Sequence, residues 1–130
     1  MSNLDTKFKE TEVLMDEGKY GEAVDAIKET LKIKPTTDTE KLTTKSLKLN
    51  LMTCMIHLEE YYKAIDLSRE FLESDPNNLM AKYNLGLGYC LSGNSDLGIP
   101  QFESIIKIDE LGVATEVAKE AMTKFSSKEV

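Results

Sequence analysis

The sequence predicts an all-α protein built from repeated helix pairs. One observation is self-similarity at fixed offsets: Tyr20 recurs 41 residues later as Tyr61, and Leu51 recurs 34 residues later as Leu85. Repeats of this length are typical of solenoids, in which each unit buries its apolar face against its neighbours. The other observation is an apolar stripe at helical spacing near the end of the chain, formed by Val113, Val117, Ala118, Ala121, Met122 and Phe125.

Composition narrows the class of partner. The chain has 130 residues, of which 41% are hydrophobic and 30% are charged, and its formal net charge is −7. Nucleic acids are bound mainly through Lys and Arg, and anionic membrane surfaces attract the same residues, so this balance disfavours both as partners. No apolar run approaches the ~20 residues of a membrane-spanning helix. Because the N-terminus is also polar, we expect a cytoplasmic protein.

Few residues in the chain are suited to catalysis or metal binding. Cys54 and Cys90 are the only cysteines and His57 is the only histidine, whereas a structural zinc site normally takes four such ligands. Both cysteines are expected to be buried, reduced thiols. The chain has no Gly-rich phosphate loop and no Gly-x-Ser-x-Gly nucleophile motif. We therefore predict no catalytic residue, no metal and no cofactor.

A helical segment with two glycines identifies the type of repeat. In AKYNLGLGYCLSG, residues 81–93, Gly86 and Gly88 interrupt a helical pattern although each costs about 0.5–1 kcal/mol relative to alanine. The marker positions of a tetratricopeptide repeat (TPR) are filled by Leu85, Gly86, Tyr89, Gly93 and Phe102. The turns of such repeats are matched by EGKYGEA (17–23), EEYYKA (59–64) and DPNN (75–78). Nearly the whole chain therefore resembles a TPR domain.

The resemblance implies an α-solenoid of three antiparallel TPR helix pairs followed by a C-terminal capping helix, in a single domain of residues 1–130. Helices are expected at about 5–17, 20–33, 38–58, 61–74, 78–92, 96–108 and 111–126, and repeats at about 4–37, 45–78 and 79–110. Neighbouring helices of such repeats meet closely at the Leu-Gly position, so the missing Cβ of Gly86 is expected to let two backbones approach. Gly98 and Pro100 depart from the pattern, and we expect their helix to start late, near Ile99, or to bend there.

The helix through residues 38–58 is predicted to be longer than the others. The first offset exceeds the second by seven residues, almost two helical turns, so an insertion of that length prolongs a helix without rotating its buried face. A prolonged helix at this place resembles the TPR modules of the immunophilin class of peptidyl-prolyl isomerases, as does the segment LNLMTCMIHLEEYYKAI.

Co-chaperones of the TPR family hold the C-terminal carboxylates of heat-shock chaperones with five groove residues: a Lys and an Asn on the first helix, an Asn on the third, and a Lys and an Arg on the fifth. The resemblance places Phe8, Glu12, Asn50, Met80 and Asn84 at those positions. Only Asn50 matches. Truncating one partner of a buried charged hydrogen bond costs about 2–5 kcal/mol, whereas a micromolar complex has only about 8 kcal/mol in total. We therefore predict that this carboxylate clamp does not work.

The remaining groove positions suit a different ligand. The resemblance predicts a peptide-binding groove formed by Phe8, Lys9, Glu12, Leu49, Asn50, Thr53, Met80, Tyr83, Asn84 and Leu87. Apolar and aromatic side chains with a few polar groups are typical of sites for a hydrophobic peptide or an amphipathic helix. An alternative is that neighbouring helices or the C-terminal segment cover several of these side chains.

The predicted function is a non-enzymatic protein–protein interaction module of the TPR scaffold or co-chaperone type. Its partner is a protein or peptide held in the concave groove, without a working carboxylate clamp. Two alternatives stay open at this point: a clamp that does bind heat-shock chaperone tails, with Lys9 compensating in part, and a self-associating module that forms a homodimer.

Overall fold

Helices account for all the regular secondary structure of the part of the chain described here, residues 2–126 of a computed structural model. The finding that this part of the chain has helices and no strands confirms the all-α fold class. Residue 1 and residues 127–130 of the predicted domain lie outside the described residues. The helices are α1 (Asn3–Asp16), α2 (Tyr20–Thr30), α3 (Asp38–His57), α4 (Tyr61–Ser74), α5 (Leu79–Leu91), α6 (Ser95–Ile108) and α7 (Val113–Ser126).

Polar side chains cap the start of three helices. The Ser2 hydroxyl accepts a hydrogen bond from the Asp5 amide at the start of α1. At the start of α5, the side-chain oxygen of Asn78 accepts a hydrogen bond from the Ala81 amide. Thr37 forms a reciprocal capping box with Glu40 at the start of α3. These contacts satisfy amide groups that have no partner inside the helix, so they fix where each helix begins.

The turns that end α1, α3 and α5 share one geometry. In each turn two amides bond back to carbonyl groups of the preceding helix, as in the bonds from Gly18 to Met15 and from Lys19 to Leu14. This is the Schellman arrangement, which needs a left-handed residue. That residue is Gly18 (φ 75°) after α1, Glu59 (φ 62°) after α3 and Gly93 (φ 94°) after α5. Glu59 thus holds a conformation that the other two turns assign to glycine.

Contacts along the chain divide it into two units, one ending at Glu60 and the other beginning at Tyr61. In the first unit α1, α2 and α3 pack on one another. The Thr43 hydroxyl of α3 donates to a carboxylate oxygen of Asp5 on α1 at 3.0 Å, and the rings of Tyr20 and His57 stack with centroids 4.1 Å apart. The buried hydrophobic residues of this unit are Leu4, Ala23, Val24, Ile27, Leu47, Leu51, Met52, Cys54 and Met55.

In the second unit α4 packs on α5, α5 on α6, and α7 on both α5 and α6. A Cβ at Gly86 would lie 2.7 Å from Cζ of Phe102, so the glycine makes room for this ring. A Cβ at Gly98 would lie 2.8 Å from the Gly86 carbonyl oxygen, so it is Gly98 that lets the backbones of α5 and α6 approach, and not Gly86 as the sequence had suggested. Gly88, for which the TPR pattern assigns no role, faces Ile65 of α4.

Two local expectations from the sequence are revised. Helix α6 begins at Ser95, one residue before the start at about 96 expected from the repeats and not late near Ile99, because the Asn94 carbonyl closes a first turn with the amides of residues 97 and 98, before Pro100 is reached. The apolar stripe on α7 is only partly buried: Ala118, Ala121 and Phe125 enter the core, whereas 81% of the surface of Val113 is exposed.

Candidate functional site

The predicted groove residues of the first unit lie on α1 and α3. On α1, Phe8 is partly buried, whereas Lys9 and Glu12 are exposed. On α3, all three predicted residues, Leu49, Asn50 and Thr53, are partly buried. The Thr53 hydroxyl donates to the Leu49 carbonyl of its own helix at 3.3 Å. The exposed members are thus two side chains of opposite charge, which can pair with polar groups and offer little apolar area.

The predicted residues of the second unit lie on α5. Met80 is 48% exposed, and Tyr83 and Leu87 are partly buried. Asn84, which occupies a position of the carboxylate clamp, is only 3% exposed. Its amide is therefore held inside the protein. The three predicted groove residues of this helix that reach the surface, Met80, Tyr83 and Leu87, are therefore apolar or aromatic.

An apolar pocket opens among α5, α6 and α7. Its volume is about 300 Å³, and it is lined by Leu79, Met80, Tyr83, Ile105, Ala114 and Val117. The volume lies at the lower end of the ~300–1,000 Å³ range of ligand pockets. Two of the predicted groove residues, Met80 and Tyr83, belong to this lining. The only polar side-chain atom in the lining is the Tyr83 hydroxyl.

Tyr83 is held in place by the core of the second unit. Its ring packs edge to face against Phe102, with centroids 5.6 Å apart and an interplanar angle of 60°. Burial, and secondarily the negative charge of Glu120 on α7, raises the pKa of the Tyr83 hydroxyl above its usual value. Because the ordinary value is already about 10, the phenol is neutral at physiological pH and can donate a hydrogen bond to a ligand.

The predicted site does not include the α7 wall of this pocket. Ala114 and Val117 supply that wall, while the sequence pattern had assigned Val117 to the face that caps the stack. The sequence did contain a signal for this wall, because the apolar residues of α7 cover more of the helix circumference than a single buried face requires. The helix start is fixed by the buried Thr115, whose hydroxyl donates to the Asp109 carbonyl.

Reactive and metal-binding groups are scarce in the described part of the chain. Cys54 and Cys90 are both buried free cysteines, and burial raises the pKa of the Cys54 thiol to about 11. Cys54 is therefore protonated at neutral pH and unsuited to act as a nucleophile. Across residues 2–126, no three His, Cys, Asp or Glu side chains are arranged to hold a metal ion. No helix in this span has the length and apolar character needed to cross a membrane.

Solved structures with the same fold are TPR proteins. The TPR domain of P58(IPK) superposes with a TM-score of 0.79 at 20% identity, covering 97% of this chain and 34% of that one. The C-terminal TPR-containing domain of an FK506-binding protein from Plasmodium falciparum gives 0.68 at 20% identity, covering 95% and 91%. MamA from Desulfovibrio magneticus gives 0.71 at 18% identity, covering 98% and 76%. The fold is therefore that of a TPR domain, a solenoid of helix pairs, as the sequence motifs predict.

One curated protein is similar in sequence. It is the peptidyl-prolyl cis-trans isomerase PASTICCINO1 of Arabidopsis thaliana, which is 30% identical over 64 residues, or 49% of this chain. The matched region is 10% of the length of PASTICCINO1. No protein-family model matches the chain. The sequence likeness thus reaches half of the chain, while the structural likeness extends over nearly all of it.

Proposed function

We propose that this chain is a non-catalytic protein-interaction module that binds an apolar segment of a partner at the pocket of the second unit. The observation that carries this proposal is the pocket itself, about 300 Å³ in volume, with five of its six lining residues aliphatic. A pocket of this kind takes one or two apolar anchor side chains, each worth roughly 1.5–3 kcal/mol when buried.

Exposed apolar residues extend the pocket into a longer surface. Val113 and Val117 are one helical turn apart on α7 and are 81% and 37% exposed, and Leu111 just before the helix is 102% exposed. With Met80 on α5, we call these four residues the apolar rim. Contiguous exposed apolar residues of this kind mark interaction sites more often than isolated ones do. The spacing suits an amphipathic helix or an extended peptide.

The proposal excludes the usual carboxylate clamp. On α1, the position that is Asn in the co-chaperone clamp holds Glu12, whose carboxylate is exposed. On α5, the position that is Arg in the clamp holds Asn84, which is buried. An anionic tail would meet a negative charge where it needs a donor, at a cost that a micromolar complex does not tolerate. Leu87 is proposed as a further contact at this pocket. Within the first unit, we propose Phe8, Lys9, Leu49, Asn50 and Thr53 as ligand contacts in their own right.

The likeness to PASTICCINO1 supports a place for this module beside peptidyl-prolyl isomerases. That protein is named as an isomerase, and the region it shares with this chain is a small part of it. We propose that the chain contributes partner binding in an immunophilin-like or co-chaperone setting and that any isomerisation occurs elsewhere.

An NMR titration with two synthetic peptides tests the proposed function. One peptide is a neutral amphipathic helix of Leu and Gln, and the other is an acidic peptide that ends in a free carboxylate. The neutral peptide should shift the resonances of Met80, Tyr83 and Val117 saturably, and the acidic peptide should not. Val117→Asp should abolish the shifts, because it places a charge in an apolar pocket.

The matched control is Leu97→Asp, which adds the same charge at a residue of α6 that is 50% exposed and outside the pocket lining. This variant should bind the neutral peptide as the parent does. Equal loss of binding in both variants would argue against the pocket. Saturable binding of the acidic peptide centred on Asn50 would instead restore the carboxylate-clamp function.

A further inference from the structure

Carboxylates are interleaved with the apolar rim. Between Asp109 and Glu120 the chain has four acidic residues and a single lysine, Lys119. Glu116 and Glu120 are exposed and follow Val113 by three and seven residues, so they lie on the face of α7 that carries Val113 and Val117. Lys119 points away from Val117 around the helix, but it follows Glu116 by three residues and so neighbours that carboxylate.

Glu120 follows Val117 by three residues, so it neighbours a side chain of the pocket lining. After burial, its negative charge contributes to the raised pKa of the Tyr83 hydroxyl. Lys124 follows Glu120 by four residues, one turn further along the same face, and its ammonium lies 5.5 Å from the centroid of the Phe125 ring. From Asp109 to Lys124 the chain has four acidic residues and two lysines, so the pocket is apolar inside and its α7 side has a net negative charge, within a chain whose net charge is −7.

Resting on the proposed function, we infer that the partner is a basic amphipathic helix, which places one or two apolar side chains in the pocket and Lys or Arg against Glu116 and Glu120. Val113 and Val117 are about 6 Å apart along α7, a spacing matched by apolar residues four apart on the partner helix. Rim charges mainly set selectivity and association rate, whereas buried apolar anchors set affinity. The pairing therefore selects against the acidic peptides that a carboxylate clamp would take.

Three synthetic peptides of one length test this inference by fluorescence anisotropy at low and physiological salt. The first has Leu at the apolar positions of a helix and Lys elsewhere, the second replaces each Lys by Glu, and the third keeps Lys but replaces Leu by Ser. The Leu/Lys peptide should bind about 10-fold or more tightly than the Leu/Glu peptide, with the difference shrinking as salt rises. The Ser/Lys peptide should bind far more weakly than the Leu/Lys peptide, because net charge alone supplies no anchor.

A pair of charge-reversed variants locates the effect. Glu116→Lys with Glu120→Lys should weaken the Leu/Lys peptide about 10-fold and strengthen the Leu/Glu peptide. The control, Glu70→Lys with Glu103→Lys, makes the same change in net charge at exposed residues outside the pocket and should alter binding less than about 3-fold. Equal effects of the two variants would overturn the inference, because attraction would then come from the whole molecule.

The failure of this inference and the failure of the proposed function give different results. If the Leu/Glu peptide binds as tightly as the Leu/Lys peptide and Val117→Asp abolishes both, the charge selection is wrong and the apolar pocket stands. If Val117→Asp leaves all peptide binding unchanged, the pocket is not the site and both proposals fall. Circular dichroism of each variant verifies that the helices are retained.

Discussion

A glycine lies inside a helix in both units, and the two glycines have different surroundings. Gly21, in α2 of the first unit, is exposed, and a Cβ there would have no atom within 4 Å. Gly86, in α5 of the second unit, is buried, and a Cβ there would meet the Phe102 ring. The same residue type is therefore dispensable in one unit and required by packing in the other.

The packing at Gly86 also bears on the candidate pocket of the second unit. Phe102 occupies the space that Gly86 leaves, and its ring packs edge to face against the ring of Tyr83. Tyr83 and Ile105, which is one turn after Phe102, are both lining residues of the pocket. The missing side chain at Gly86 thus leaves room for the Phe102 ring, against which Tyr83 of the pocket lining packs.

The largest effect is expected from removing the ring that this arrangement depends on. Phe102 is fully buried, so Phe102→Ala should lower the free energy of unfolding by about 3–5 kcal/mol in urea titrations. Leu97→Ala, at a half-exposed position of the same helix, should change it by less than about 0.5 kcal/mol. If Phe102→Ala lowers the free energy of unfolding only slightly, the packing of the second unit does not depend on this ring.

The two helical glycines should respond with opposite signs. Gly86→Ala forces a Cβ against Phe102 and should cost about 1–3 kcal/mol from overpacking, offset in part by the helix propensity of alanine. Gly21→Ala meets open space and should raise stability by about 0.5–1 kcal/mol. In a Phe102→Leu background the penalty at Gly86 should shrink. An unchanged penalty would show that the ring is not its cause.

The turns after α3 and α5 allow a similar comparison of the two units, because the left-handed residue is Glu59 in the first unit and Gly93 in the second. Glu59→Gly should raise the free energy of unfolding by about 0.5–1 kcal/mol, because glycine adopts the left-handed conformation without a Cβ clash. Gly93→Ala should lower it by about 1 kcal/mol for the converse reason. Glu59→Ala is the control, since it removes the carboxylate and keeps the strain. If it stabilises as much as glycine does, the charge and not the backbone is responsible.

The smallest effect concerns two buried hydroxyls. Among the described residues Ser68 has no hydrogen-bond partner for its buried hydroxyl, so Ser68→Ala should leave stability unchanged or raise it by up to about 1 kcal/mol. Thr30 is equally buried but donates to the Ala26 carbonyl at 2.7 Å, so Thr30→Val should cost about 0.5–1.5 kcal/mol. Thermal unfolding of both variants checks the difference in sign.

Much of the fold was predictable because its signals are local. The offsets that relate Gly18, Glu59 and Gly93 are the same 41 and 34 residues that relate the helices, and each of these residues ends a helix in the same way. The long α3 follows from a seven-residue insertion that preserves helical phase. The repeat layout placed the start of α6 within one residue of Ser95, whereas the late start near Ile99 that Pro100 suggested was wrong, because the Asn94 carbonyl closes the first turn before the proline is reached.

Less of the site was predictable. Met80 and Tyr83 follow from their repeat positions, whereas Asn84, one residue from Tyr83, is buried even though the same pattern placed it in the groove. The sequence did not predict the pocket walls that α6 and α7 supply through Ile105, Ala114 and Val117. Helical periodicity shows which face of a helix is apolar, but it does not show how much of that face neighbouring helices cover.

The sequence by itself determined that the chain is built of helix pairs, about where most of these helices begin and end, and that its charge disfavours anionic ligands. These properties depend on hydrogen bonds within a few residues, on periodicity and on composition, which are all present in the linear order. Only the tertiary structure decided that Val113 and Val117 stay exposed, that Asn84 does not, and that an apolar pocket forms beside Tyr83. Those properties depend on the distances between side chains of different helices, which are set when Gly86, Gly98 and Phe102 bring α5 and α6 together.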